Sequence, residues 1–203
     1  MSKTIEFGIP GLALEEGDHV CAFYRGPTER DDLLVPYLLE GLAAGEKCTC
    51  VMDSCGPEAM LPLLAPRCDL GDSLENGRLD LLSSRDSYLL GGGFVLGSMI
   101  AFWRTRVGAA LTNGFAFARS AGEMTWALRA VPGVDNLVSY ESELNRFLPE
   151  YPQVILCLYD LAAFSGDLVI DIVKTHPKLL VGGAIVENPY YLDPDEFLTG
   201  RPT

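Results

Sequence analysis

The chain contains two histidines, His19 and His176. The first stands two residues before a cysteine in the stretch GDHVCAFYRG (17–26). On a strand, positions i and i+2 face the same way. His19 and Cys21 could therefore reach one ion, and a soft thiolate would favour Zn or Cu(I). Two ligands do not make a site, and no C-x-x-C pair is present to build a zinc ribbon. Cys48, Cys50 or Cys157 would have to join from neighbouring strands. No cofactor is predicted on this basis. Zinc or copper at His19 and Cys21 stays open beside the simpler reading of small buried side chains.

A second set of candidates is polar residues that follow apolar runs. In open α/β sheets, ligands bind beyond the carboxyl ends of the strands. Tyr24 and Arg25, Asp53, Arg85, Arg119 and Glu123, Tyr159 and Asp160, and Glu187 and Asn188 all stand at such ends. Together they could form a crescent around a small ligand. Asp53 could equally cap a helix. In AGEMTWAL, Glu123 and Trp126 could supply an acceptor and an aromatic wall. The same two residues also read as a first-turn Glu favoured by the helix dipole and a core Trp.

A phosphate loop needs glycine-rich backbone, a Lys for the phosphate oxygens and a Ser/Thr for Mg²⁺. The first strand-to-helix connection, YRGPTERDDL, has one Gly, no Lys and acids where a triphosphate would approach. GGGF (91–94) could hold an anion at a helix start but brings no Lys. Conventional ATP hydrolysis is not expected. Neither a G-x-S-x-G elbow nor an H-E-x-x-H motif is present.

These residues are positioned by a regular alternation. Strands are predicted at 19–24, 48–53, 78–84, 115–120 and 154–160. Helices are predicted at 29–45, 57–64, 94–114, 134–148 and 166–176, with Thr28 as N-cap of the first. KLLVGG and AIVENP read as a terminal strand pair around Gly182-Gly183. Apolar strands alternating with helices predict an α/β fold, a mostly parallel sheet with helices on both faces. His19 and His176 would then start strands on one edge of the sheet, opposite the usual ligand edge.

Of 203 residues, 48% are hydrophobic and the formal charge is −13. That suits one domain with a substantial core. So acidic a surface would repel DNA and anionic lipid, so no direct nucleic-acid or membrane partner is expected. The start of the chain has no signal-peptide pattern. With six cysteines that read as free thiols, the expected location is the cytoplasm.

Seven segments in order, GDHVCAFY, GEKCTCVMD, AGEMTWAL, YESELN, ILCLYD, THP and IVENPYY, resemble the MEDS domain, the methanogen/methylotroph, DcmR sensory domain. The resemblance runs from about Gly17 to Leu198. It implies a domain at 17–198, with an extension at 1–16 and a tail at 199–203. It also implies a RecA/KaiC-like fold that has lost its phosphate loop. Tyr140, Glu141, Asn145, His176 and Tyr190 match family motif positions, alongside His19, Cys21, Tyr24, Glu123, Trp126, Tyr159, Asp160, Glu187 and Asn188.

Family members are regarded as sensors of hydrocarbon or one-carbon derivatives, commonly joined to DNA-binding, PAS or kinase modules. The implied function is a non-catalytic sensory domain. It would bind a small organic ligand and signal through a separate histidine kinase or transcription regulator, with a homodimer open. The alternatives are a nucleotide- or metal-dependent enzyme on the same scaffold, and a pure protein-interaction module.

Overall fold

The computed structural model describes residues 4–199; residues 1–3 and 200–203, parts of the expected extension and tail, lie outside them. The centre is a seven-stranded sheet. Its strands are β3 (His19–Tyr24), β4 (Lys47–Met52), β5 (Leu79–Ser83), β6 (Ala118–Glu123), β7 (Gln153–Asp160), β8 (Lys178–Val181) and β9 (Ala184–Glu187). The spatial order is β5-β4-β6-β7-β3-β8-β9. All neighbours pair in parallel except β8 with β9, which close an antiparallel hairpin over Gly182 and Gly183. Both glycines have positive φ, the backbone that glycine adopts without a Cβ penalty.

Parallel strands in the middle of such a sheet are covered on both faces, so they read as unbroken apolar runs. HVCAFY and QVILCLYD do so. Their alternate residues enter two separate cores. Val20, Ala22, Tyr24, Leu156 and Leu158 face α1 (Gly26–Ala43) and its surroundings. Cys21, Ile155, Cys157 and Tyr159 face α4 (Leu96–Thr112) and α5 (Leu137–Phe147). Short helices α2 (Leu61–Leu64) and α3 (Leu70–Glu75) lead to β5, α6 (Gly166–Thr175) leads to β8, and α7 (Pro194–Thr199) follows β9.

Two expectations need correction, and one element was not foreseen. The fourth predicted strand lies at 118–123 rather than 115–120. Its sequence, ARSAGE, has little strand propensity. Small residues are required there because neighbours press in: a Cβ on Gly122 would come within 2.3 Å of the Tyr88 hydroxyl. The shift turns Glu123 into the last residue of β6 and Arg119 into its second. Next, α1 starts at Gly26 with Arg25, not Thr28, as N-cap. Finally, the segment before Gly17 forms a hairpin, β1 (Thr4–Glu6) with β2 (Ala13–Glu15). Ile5, Phe7, Leu12 and Leu14 are buried in the α1-side core. Two three-residue strands carry too short an alternation to read from sequence.

Candidate functional site

At the carboxyl edge of the sheet, the ends of β3 and β4 converge on Glu123, the last residue of β6, which is fully buried. Its Oε1 accepts from the Tyr24 hydroxyl at 3.1 Å and from Arg30 Nη1 at 3.3 Å. Its Oε2 accepts from the backbone N–H groups of Asp53 and Ser54 at 2.8 and 2.9 Å. Arg30 also donates to Ser54 Oγ at 2.6 Å and pairs with Asp31. Burial alone would raise the Glu123 carboxyl. Hydrogen bonds from the Ser54 side chain and from the two backbone N–H groups, with the Arg30 charge, outweigh burial and hold it below the usual value.

The amino end of α1 is likewise closed. Arg25 N–H donates to Glu29 Oε2 at 2.7 Å, so a carboxylate of the chain itself sits where phosphate-binding folds place their anion. Arg30, Ser54 and Glu29 were not singled out from the sequence. They lie in helix and loop positions whose partners are set by tertiary pairing.

Asp53 does not serve as a helix cap. It accepts from Thr125 Oγ1 at 3.0 Å, from Arg129 Nη2 at 2.6 Å and from Ser84. Beside it opens a groove of about 500 Å³ that includes Arg85 and Arg129. Tyr24 and Asp160 line a second cleft, of about 290 Å³, with Arg30 and Ser54. A third cleft, of about 400 Å³, lies between the carboxyl ends of β3 and β8. Phe23, Tyr24, Leu33, Leu161 and Leu180 form its apolar wall, and Arg25, Glu29 and Asp32 form its polar rim.

Other candidates stand apart from this edge. Arg119 is buried near the amino end of β6. It donates to Glu46 Oε2 at 2.6 Å, to Tyr37 O at 3.1 Å and to Glu6 O at 3.0 Å, bracing α1 and the amino-terminal hairpin. Trp126 is core, stacked on Tyr88 with centroids 4.8 Å apart and against Phe94 at 4.6 Å. Glu187 is exposed and pairs with Lys178 at 3.4 Å. Asn188 donates to the carbonyls of Val173 and His176 at 2.6 and 2.8 Å, pinning the turn before β8.

His19 and Tyr159 belong to a different group, on the opposite face from α1 and fully buried. Tyr159 donates to Glu141 Oε1. The other oxygen, Glu141 Oε2, lies 3.2 Å from His19 Nε2, 3.4 Å from His176 Nε2 and 3.4 Å from Cys157 Sγ. His19 Nε2 and Cys157 Sγ are themselves 3.4 Å apart. One donor atom from each of His19, Glu141, Cys157 and His176 falls within 4.8 Å of the others, a geometry able to hold a metal ion.

Cys21 shares this face but is not one of the four; Cys157, opposite it on β7, is. Burial and the neighbouring His176 push the His19 imidazole below its ordinary value. Burial and Glu141 push the Cys157 thiol well up. Burial would raise the Glu141 carboxyl too, but its contacts with His176 and His19 hold it well below the carboxylate range.

A parallel sheet between two helical layers, with the turn into its first helix closed by the chain's own Glu29 carboxylate, defines a RecA/KaiC-like domain without a working phosphate loop. The structure of a KaiC-like protein from the archaeon Pyrococcus horikoshii superposes with a TM-score of 0.65 at 14% identity. The match covers 88% of this chain and 80% of that one and bears on the fold alone.

Residues 18–177 match the methanogen/methylotroph, DcmR sensory domain, and the chain belongs to that family, MEDS. As a MEDS domain it is a sensory, non-catalytic module of signal transduction. The transcriptional repressor DcmR of Methylorubrum extorquens is 28% identical over 170 residues, 83% of this chain. The chain spans 61% of that relative's length. Among the described residues no helix is long and apolar enough to cross a membrane.

Proposed function

We propose that this domain senses a small organic molecule, a hydrocarbon or one-carbon derivative. Its seat is the cleft between the carboxyl ends of β3 and β8. The observation that carries this reading is the lining of that 400 Å³ space, apolar along Phe23, Leu33, Leu161 and Leu180 and charged at Arg25, Glu29 and Asp32. Small-ligand sites have this size and this balance, with a few polar groups fixing orientation. Tyr24 lines this cleft and the Asp160 cleft beside it and donates to Glu123. Occupancy would therefore be felt by the buried ion pair.

Val181, Gly182 and Gly183, the turn of the β8–β9 hairpin, close the cleft on one side. Movement of this edge hairpin is the relay to a regulatory partner, a transcription regulator or a histidine kinase. The repressor relative supports a transcriptional output. We place the domain in the cytoplasm, in keeping with six unpaired cysteines.

Thermal-shift titration with methanol, methylamine, short alkanols and alkyl halides tests the proposal, since a ligand that binds the folded state raises its stability. At least one should raise Tm in a saturable way. No shift with any of them, together with no chemical-shift change at Phe23 or Leu161 in NMR spectra, refutes it.

A further inference from the structure

We infer that His19, Glu141, Cys157 and His176 form a buried zinc site that ties β3, β7, α5 and the turn into β8 together. This is a site separate from the ligand cleft, and it stands or falls without it.

Hydrogen-bond direction is the first argument. Asn145 Nδ2 donates to the carbonyl of Thr175 at 2.8 Å and also approaches those of Glu141 and Ser142. Its Oδ1 must then face His19 Nδ1, 3.0 Å away, as an acceptor. His176 Nδ1 lies 2.8 Å from the Ile172 carbonyl, which can only accept. Both imidazoles therefore carry a proton on Nδ1, and in its neutral form each turns the lone pair of Nε2 inward. His176 Nε2 is fully buried and makes no hydrogen bond. Two ring lone pairs and a carboxylate oxygen thus point at one another across 3.2 and 3.4 Å. The Cys157 S–H can serve only one of these acceptors. The others need a shared cation, a metal ion or an imidazolium proton, and a metal ion engages all four side chains at once. Locking one ring nitrogen by a carbonyl or amide oxygen is also how proteins orient metal-binding histidines.

Distance and charge name the ion. Zinc bonds of about 2.0–2.1 Å to N and O and about 2.3 Å to S give a tetrahedron with edges of roughly 3.3–3.6 Å. Four of the six edges measure 3.2, 3.4, 3.4 and 3.4 Å, and the remaining two, both to His176 Nε2, are no longer than 4.8 Å. Binding displaces the Cys157 S–H proton to solvent and leaves a thiolate. With the Glu141 carboxylate and two neutral imidazoles, Zn²⁺ then makes the centre neutral, as a fully buried site requires. Cu(I) would leave one negative charge. Tyr159 holds the other Glu141 oxygen, which directs Oε2 inward. Four protein ligands with no open position make the site structural.

The test uses the whole chain, expressed in zinc-supplemented medium and purified without a histidine tag. We expect one zinc per chain by elemental analysis. X-ray absorption of the wild-type protein should show one sulfur and three nitrogen or oxygen neighbours. Refolding with Co²⁺ should give tetrahedral ligand-field bands and a thiolate charge-transfer band. Cys157→Ser should remove the latter, while Cys21→Ala retains it. Asn145→Ala should weaken metal affinity about 10–100-fold.

A protein that holds no zinc after expression or after refolding with Zn²⁺ or Co²⁺ overturns the proposal. So does bound metal without a sulfur neighbour, or a charge-transfer band that persists in Cys157→Ser. If Cys157→Ser does not fold, the absorption spectrum of the wild type decides alone.

Discussion

The rings of His19 and His176 lie with centroids 4.1 Å apart, one on β3 and the other just ahead of β8. The two strands are parallel neighbours, so the pair knits them together at their amino ends. At the other end the same strands frame the 400 Å³ cleft through Phe23, Tyr24 and Leu180. The buried histidine group and the cleft thus share two strands.

The position of His176 depends on Asn188, which ties the turn through the carbonyls of Val173 and His176. Asn188→Ala leaves both carbonyls without that donor and should cost about 1–3 kcal/mol. That corresponds to a fall in Tm of roughly 2–12 °C for a domain of this size. Amide exchange should quicken first in the turn and β8. Unchanged Tm and exchange would show that Asn188 is not the latch.

Glu123 gives the protein an acid-sensitive contact. Its folded carboxyl value lies below the ordinary one of 4.5. The stability it contributes is therefore present above that ordinary value and is lost as pH falls through the folded one. Glu123→Gln leaves the Arg30 charge buried beside a neutral amide. It should cost about 3–5 kcal/mol at pH 7. Urea unfolding should show that gap between wild type and variant narrowing in acid. A gap of the same size at every pH would contradict the assignment.

Arg119 should act on stability alone. Arg119→Met strands a buried Glu46 carboxylate and removes a donor from the carbonyls of Tyr37 and Glu6. A loss of about 3–5 kcal/mol is expected, with faster exchange in the β1–β2 hairpin. Any ligand that raises the wild-type Tm should raise the variant's by a similar amount; loss of that response would return Arg119 to the binding residues.

The cleft can be filled without disturbing the core. Leu161 is half-buried in the loop after β7 and lines the cleft wall. Leu161→Trp should leave Tm within a few degrees of wild type and abolish the ligand-induced shift. At a ligand concentration of 100 Kd that shift corresponds to about 2.7 kcal/mol in the wild type. Retention of the full shift would move the site to one of the neighbouring clefts.

The sequence by itself determined the α/β class, the strands HVCAFY and VILCLYD, the loss of the phosphate loop and the terminal hairpin over Gly182-Gly183. Each rests on local information: apolar runs, a missing Lys, paired glycines. It also showed Tyr24, Asp53, Glu123 and Asp160 at strand ends, because a parallel sheet puts such residues on one edge.

Tertiary structure alone decided where ARSAGE becomes a strand, since its pairing with β4 and β7 overrides weak propensity. It separated Arg119 from Glu123, which lie only four positions apart but at opposite ends of β6. It also chose Cys157 over Cys21 as the sulfur beside His19. Both cysteines face the same side, but only the packing of α5 and the turn before β8 brings Glu141 and His176 onto one of them. Spacing along a chain limits which residues can share a face. Only the docking of distant segments determines which of them meet.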